Sequence, residues 1–146
     1  MAARILILNG PNLNRLGSRE PQIYGSETLD ELNARLASRA RALHIDIEFF
    51  QSNHEGELID RLHAYGSAQG AILNPGGLAH YSVSLRDAVA SIPIPVVEVH
   101  ISNIYAREPF RQHSLVSGVC RGIISGLGTH GYFLALEHLS VMLSGR

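Results

Sequence analysis

The 146-residue chain carries twelve basic and thirteen acidic residues, for a formal charge of −1, and is 45% hydrophobic and 17% charged. That composition supplies one core and one expected domain over residues 1–146, without the dense basic patch that a nucleic acid partner needs. Its longest apolar runs are four or five residues, as at residues 5–8, against the roughly 20 that cross a bilayer, so neither nucleic acid nor membrane is an expected partner.

Residues 4–8 form a strand-like apolar run. Residues 28–43 place Leu29, Leu32, Leu36, Ala40 and Leu43 at helical spacing behind Thr28, which forms a capping box with Glu31. A strand at 46–51, a helix at 55–65, a short buried strand at 71–73 and a helix at 81–90 follow. Pro93 and Pro95 end that helix and lead into a strand at 96–99; a strand at 119–125 and a helix at 131–143 close the series. Strands and helices alternate with no internal repeat, low-complexity tract or linker. The expected fold is α/β: a three-layer, flavodoxin-like sandwich around a five-stranded parallel sheet.

In such a sheet, ligands bind beyond the carboxyl ends of the strands. The segments there are Asn9-Gly10-Pro11-Asn12-Leu13-Asn14, Ser52-Asn53-His54, Asn74-Pro75-Gly76-Gly77-Leu78-Ala79-His80 and His100-Ile101-Ser102-Asn103. Asn, Gly and Pro are what any turn needs, but four such loops meeting at one edge make a site, and its polar residues suit a neutral polyhydroxylated ligand better than a metal. Glu98 and His100 stand two apart in a strand and share a face, opposite Val97 and Val99. A carboxylate there fixes the imidazole tautomer and favours the protonated ring, which suits a general acid; a satisfied buried ion pair is the bland reading. Residues 16–25, bracketed by Gly17 and Gly25, read as a mobile lid or as an exposed linker with one anchoring aromatic. In the lid reading, Arg19 and Tyr24 swing over the site together, and a guanidinium beside a phenol favours a phenolate base.

All twelve basic residues are arginine. Without lysine, Schiff-base chemistry, a pyridoxal phosphate anchor and a Walker-loop amine are excluded. The lone Cys120 forms no internal disulfide and reads as core filler. The N-terminus runs into the first strand with no apolar signal region, which leads to an expectation of a cytoplasmic protein. Gly126-Leu127-Gly128-Thr129-His130-Gly131 matches a dinucleotide fingerprint, but the acidic ribose ligand about 20 residues on is missing, so no nicotinamide cofactor is expected. Eight histidines without H-E-x-x-H spacing give no reason to expect a metal.

Taken together, Asn9-Gly10-Pro11-Asn12-Leu13, Leu16-Gly-Ser-Arg-Glu-Pro-Gln-Ile-Tyr24-Gly25, Gln51-Ser-Asn53, Asn74-Pro-Gly-Gly and Glu98-Val-His100-Ile-Ser-Asn103 resemble the type II 3-dehydroquinate dehydratases. The likeness runs in order from the first strand to Gly131. It implies a flavodoxin-like subunit that dehydrates 3-dehydroquinate to 3-dehydroshikimate by anti elimination through an enolate, with no metal or organic cofactor. By position, Tyr24 would be the base, Arg19 the cation that keeps it ionised, and Asn12 the holder of a water on the enolate oxygen. His100 would protonate the departing hydroxyl, with Glu98 orienting it. Asn74, His80, Ile101, Ser102 and Arg111 would bind substrate hydroxyls and carboxylate, Arg111 through its bidentate fork. Asp87 is similar to the residue that reaches a neighbouring subunit's site. The resemblance also implies a homo-oligomer, a dodecamer built of trimers. The other known route to this product uses a lysine imine, which this chain cannot form.

The rivals are weaker. A flavodoxin-like binding module without catalysis would cradle flavin phosphate on a loop rich in Gly, Ser or Thr, unlike residues 9–14. A receiver-type domain needs acidic residues after the first strand and a lysine. A catalytically dead assembly protein has no need of Tyr24, Arg19 and His100 together.

Overall fold

The first strand, β1 (Ala3–Asn9), is buried at every position from Ile5 onward, the signature of a strand covered on both faces. With β2 (Ile45–Gln51), β3 (Gly70–Asn74), β4 (Val96–His100) and β5 (Gly122–Ser125) it forms one parallel sheet in the order β2-β1-β3-β4-β5. The computed structural model describes residues 2–145, so Met1 and Arg146, the ends of the expected domain, lie outside the described residues.

The helices are α1 (Pro21–Tyr24), α2 (Leu29–Ala42), α3 (Glu55–His63), α4 (Val83–Ala90) and α5 (His130–Leu143). One sheet face, presenting Ile5, Ile7, Ile72, Val97 and Val99, packs on Leu32 and Leu36 of α2 and on Tyr132, Leu136 and Leu139 of α5. The opposite face packs Leu6, Leu8 and Leu73 against Leu58 and Leu62 of α3 and Leu85 and Val89 of α4. This is the three-layer, flavodoxin-like arrangement expected from the alternating pattern. The capping box forms as read: Glu31 N donates to Thr28 Oγ1 at 3.2 Å, and Thr28 N donates to Glu31 Oε1 at 3.0 Å.

Several element boundaries differ from the sequence reading, and three of the differences bear on the site. α4 begins at Val83, because Gly76–His80 coil into a 3-10 turn and the Ser82 hydroxyl caps the helix by accepting from Leu85 N at 3.0 Å. β5 begins only at Gly122, since Ser117–Val119 form another 3-10 turn anchored by buried Val116. β4 runs one residue past its expected end at 99, through His100, so Glu98 and His100 stand in one strand as their shared face requires.

Strand order places the site. The chain crosses from β1 to β2 on one side and then to β3 on the other, so the loops after β1 and β3 diverge from adjacent strands at the switch point. Gly10 N donates to Asn74 O at 2.8 Å. A Cβ at Gly10 would lie 2.6 Å from Pro75 O, so only glycine lets these loops approach so closely.

Candidate active site

Beyond those strand ends lies a cavity of about 160 Å³. It gathers Asn12 from the loop after β1, Arg19 and Tyr24 from the segment before α2, and Asn74 and His80 from the end of β3 and the turn that follows. His100, Ile101, Ser102, Arg107 and Arg111 close it from the end of β4 onward. Nine of the eleven residues singled out by sequence line it; Glu98 and Asp87 do not.

Glu98 stands directly behind the cavity wall. It is fully buried, and its Oε2 lies 2.5 Å from His100 Nε2. Burial alone would raise its pKa, but His100, Ser117 and Ser114 together outweigh that and hold the carboxyl below the ordinary value. Ser114 Oγ donates to Oε2 at 2.8 Å and Ser117 Oγ to Oε1 at 2.5 Å. With Nε2 engaged by Glu98, Nδ1 is the ring nitrogen left for the cavity. The His80 ring stacks on that of His100 at 6.2 Å between centroids, its own Nδ1 lying 2.9 Å from His113 O.

Residues 16–25 are folded rather than an open linker. Pro21 starts a single helical turn, and Tyr24 packs, half-buried, against the core. Arg19 lies over the Tyr24 ring, 5.0 Å from its centroid, and pairs with Glu20 at 3.5 Å. The phenol oxygen is met by a residue the sequence reading missed: Arg107 Nη1 donates to Tyr24 Oη at 2.7 Å and to Ser102 Oγ at 3.2 Å. A signal was present. Arg19-Glu20-Pro21 and Arg107-Glu108-Pro109 are the same triplet. Each arginine pairs with its following glutamate at 3.5 Å, and each precedes a short helical turn opened by the proline.

Asn12 adopts a left-handed φ of 71°, and its N–H donates to Asn53 Oδ1 at 2.9 Å. Gln51 Nε2 donates to that same oxygen at 3.1 Å and to Gly10 O at 3.2 Å, tying the loops after β1 and β2 together. Asn74 is locked by a second unforeseen residue. Its Nδ2 donates to Tyr132 Oη at 2.8 Å, Tyr132 Oη donates to Asn9 Oδ1 at 2.5 Å, and Gly76 N donates to Asn74 Oδ1 at 3.1 Å. Arg111 Nε donates to Glu108 Oε2 at 3.3 Å, leaving most of its fork for the cavity. Asp87 is exposed on α4 and pairs with Arg86 at 2.9 Å, outside the cavity of its own chain.

The site therefore combines an acid–base pair, a phenol under guanidinium groups and cationic donors suited to a carboxylate. Among the described residues, no group of three or more His, Cys, Asp and Glu side chains is placed to hold a metal ion, and no helix is long and apolar enough to cross a membrane.

The chain matches the family model described as "Dehydroquinase class II" over residues 3–140. It is 58% identical over 135 residues to the 3-dehydroquinate dehydratase of Bacillus subtilis, covering 92% of this chain and 91% of that one. The 3-dehydroquinate dehydratase 2 of Pseudomonas putida is 52% identical over 147 residues, covering 100% and 99%. The crystal structure of the type II dehydroquinase from Propionibacterium acnes superposes with a TM-score of 0.93 at 46% identity, covering 97% of this chain and 98% of that one.

Proposed function

The chain belongs to the type II dehydroquinase family, and from that premise we propose that it dehydrates 3-dehydroquinate to 3-dehydroshikimate, without metal or organic cofactor, as a step of aromatic biosynthesis. The observation that carries this reading is that Tyr24, with Arg107 on its oxygen, and His100, with Glu98 behind it, line one cavity. A base and an acid on one small site are what an elimination of water needs.

Tyr24, as phenolate, removes the proton beside the ketone, and the C–H electrons move into an enolate. Arg107 on the oxygen and Arg19 over the ring hold positive charge against that phenolate. Asn12 holds a water that stabilises the enolate oxygen. The enolate then collapses, the C–O bond breaks, and imidazolium His100 gives its proton to the departing hydroxyl, which leaves as water. Tyr24 ends protonated and His100 neutral, and one proton transfer between them through solvent resets the site. Asn74, His80, the Ile101 backbone, Ser102 and Arg111 bind the hydroxyls and carboxylate of the substrate, Arg111 by its fork. Asp87 serves a neighbouring subunit's site within a dodecamer built of trimers. Residues 1–146 act as one catalytic domain in the cytoplasm, with neither nucleic acid nor membrane as partner.

Purified protein given 3-dehydroquinate should generate the ultraviolet absorbance of a conjugated enone, unchanged by borohydride or a chelator. Inhibition by chelator would refute the metal-free route. No product from a folded, assembled sample would reject the assignment and return the non-catalytic binding module.

A further inference from the structure

Glu98 offers two oxygens and receives three donors. His100 Nε2 and Ser114 Oγ both reach Oε2, and Ser117 Oγ reaches Oε1. At Ser114 the hydroxyl accepts from Val116 N at 3.3 Å and donates its own proton to Glu98, since an ionised carboxylate can only accept. Both serines come from the segment between β4 and β5, which sequence reading left without a role. Neither lines the cavity, so neither is placed to touch a substrate.

A buried Glu–His pair can store one proton in two ways, as carboxylate with imidazolium or as carboxylic acid with neutral imidazole, and a low-polarity interior favours the uncharged version. Only the first form has an acid to give to a leaving hydroxyl. Hydroxyl donors on both carboxylate oxygens favour the charged form, because each bond is stronger to an ionised carboxylate than to a carboxylic acid. We propose that Ser114 and Ser117 are positioning residues for the elimination, which keep the shared proton on His100 Nε2, so that the ring is imidazolium before the step and, once its Nδ1 proton has gone to the leaving hydroxyl, the Nε2–H tautomer with Nδ1 free toward the cavity. This deepens the dehydratase reading and rests on it. The lowered pKa of Glu98 agrees with its staying ionised.

Other titratable groups surround the pair. The His80 ring lies 6.2 Å from that of His100. Tyr24, Arg19, Arg107 and Arg111 share the cavity. Cys120, whose thiol is pushed up to about 12 by burial and then by the Glu98 charge, stays neutral. None of these donates to a Glu98 oxygen, which leaves the serines as the groups that set where the proton rests.

The test combines kinetics with nitrogen NMR of histidine-labelled protein. Ser114→Ala, Ser117→Ala and the double variant should each keep fold and assembly. Each single change should lower kcat about ten- to a hundred-fold, the worth of a hydrogen bond to a charged group, with KM little changed. At a pH where the parent's His100 is imidazolium, the variants should show a growing share of neutral ring in the Nδ1–H tautomer, which accepts from a protonated Glu98. Ser117→Thr, which keeps the hydroxyl, should restore both readouts. A folded double variant whose His100 titrates as the parent's does overturns the proposal, whatever its turnover. If the parent turned over no 3-dehydroquinate, the NMR arm would still report the pair, so failure of the dehydratase reading stays distinct.

Discussion

Arg107 Nη1 donates to the Tyr24 hydroxyl at 2.7 Å, whereas the Arg19 guanidinium lies over the ring of the same tyrosine, 5.0 Å from its centroid. The two arginines thus address different parts of one phenol. A hydrogen bond onto oxygen is the stronger stabiliser of a phenolate, because that is where its charge resides. Arg107→Met, which keeps the aliphatic stem, should therefore lower kcat about ten- to a hundred-fold, and Arg19→Met should cost less. Steady-state kinetics of the pair decide it; equal losses would show that the ring-face contact matters as much as the oxygen contact.

Tyr24→Phe deletes only the phenol oxygen and leaves the ring packed against the core. Turnover should fall by about 10² to 10⁴, the usual worth of a general base, with the denaturation midpoint little changed. Near-normal turnover would remove Tyr24 from its role.

The layered fold was legible because its signals are local and repeated. Leu32 and Leu36 at helical spacing, the Thr28–Glu31 box and the buried run of β1 all follow from neighbours in the chain. The strand-end residues were legible for a related reason, since a parallel sheet gathers whatever follows its strands. What escaped were partners joined only by folding. Arg107 meets Tyr24 from 83 positions away, and Tyr132 meets Asn74 from 58. Tyr132 looks like any apolar helix residue, and its hydroxyl acquires a purpose only when α5 lies under β1 and β3. Ser114 and Ser117 sit in a stretch without periodicity, so nothing marked them as donors to Glu98.

That buried tyrosine should matter for stability. Tyr132 is fully buried, and desolvation raises the pKa of its phenol, which therefore stays a neutral hydroxyl. Tyr132→Phe would leave Asn9 Oδ1 and Asn74 Nδ2 short of a partner, at a cost of about 1–3 kcal/mol. Urea unfolding should show this as a lowered midpoint with unchanged slope. Because Asn74 loses one of its two anchors, KM should rise as well. An unchanged midpoint would mean the hydroxyl bridge contributes nothing net.

Glu98 makes a prediction about acid. Its folded-state pKa lies below the ordinary 4.5 because His100, Ser117 and Ser114 outweigh burial. A group depressed on folding contributes stability that is present above its unfolded value and lost as pH falls through the folded one. The urea midpoint should therefore drop as pH falls below about 4.5, and Glu98→Gln, which cannot titrate, should flatten that decline. A Gln variant with the parent's full acid dependence would place the titration elsewhere.

Asp87 is exposed on α4 and pairs with Arg86, away from the cavity that Tyr24 and His100 line. If it completes a neighbour's site, Asp87→Ala should lose activity while assembling normally, and a fully active assembled variant would end the idea. Hybrids give the sharper test. Asp87→Ala and His100→Ala should each be nearly inactive alone. In a mixed assembly, a subunit with intact His100 beside one with intact Asp87 forms a complete site. Random mixing in equal parts should then restore about a quarter of wild-type activity, since each of two independent choices is met half the time. Activity no greater than the mean of the two parents would mean that Asp87 acts, if at all, within its own chain.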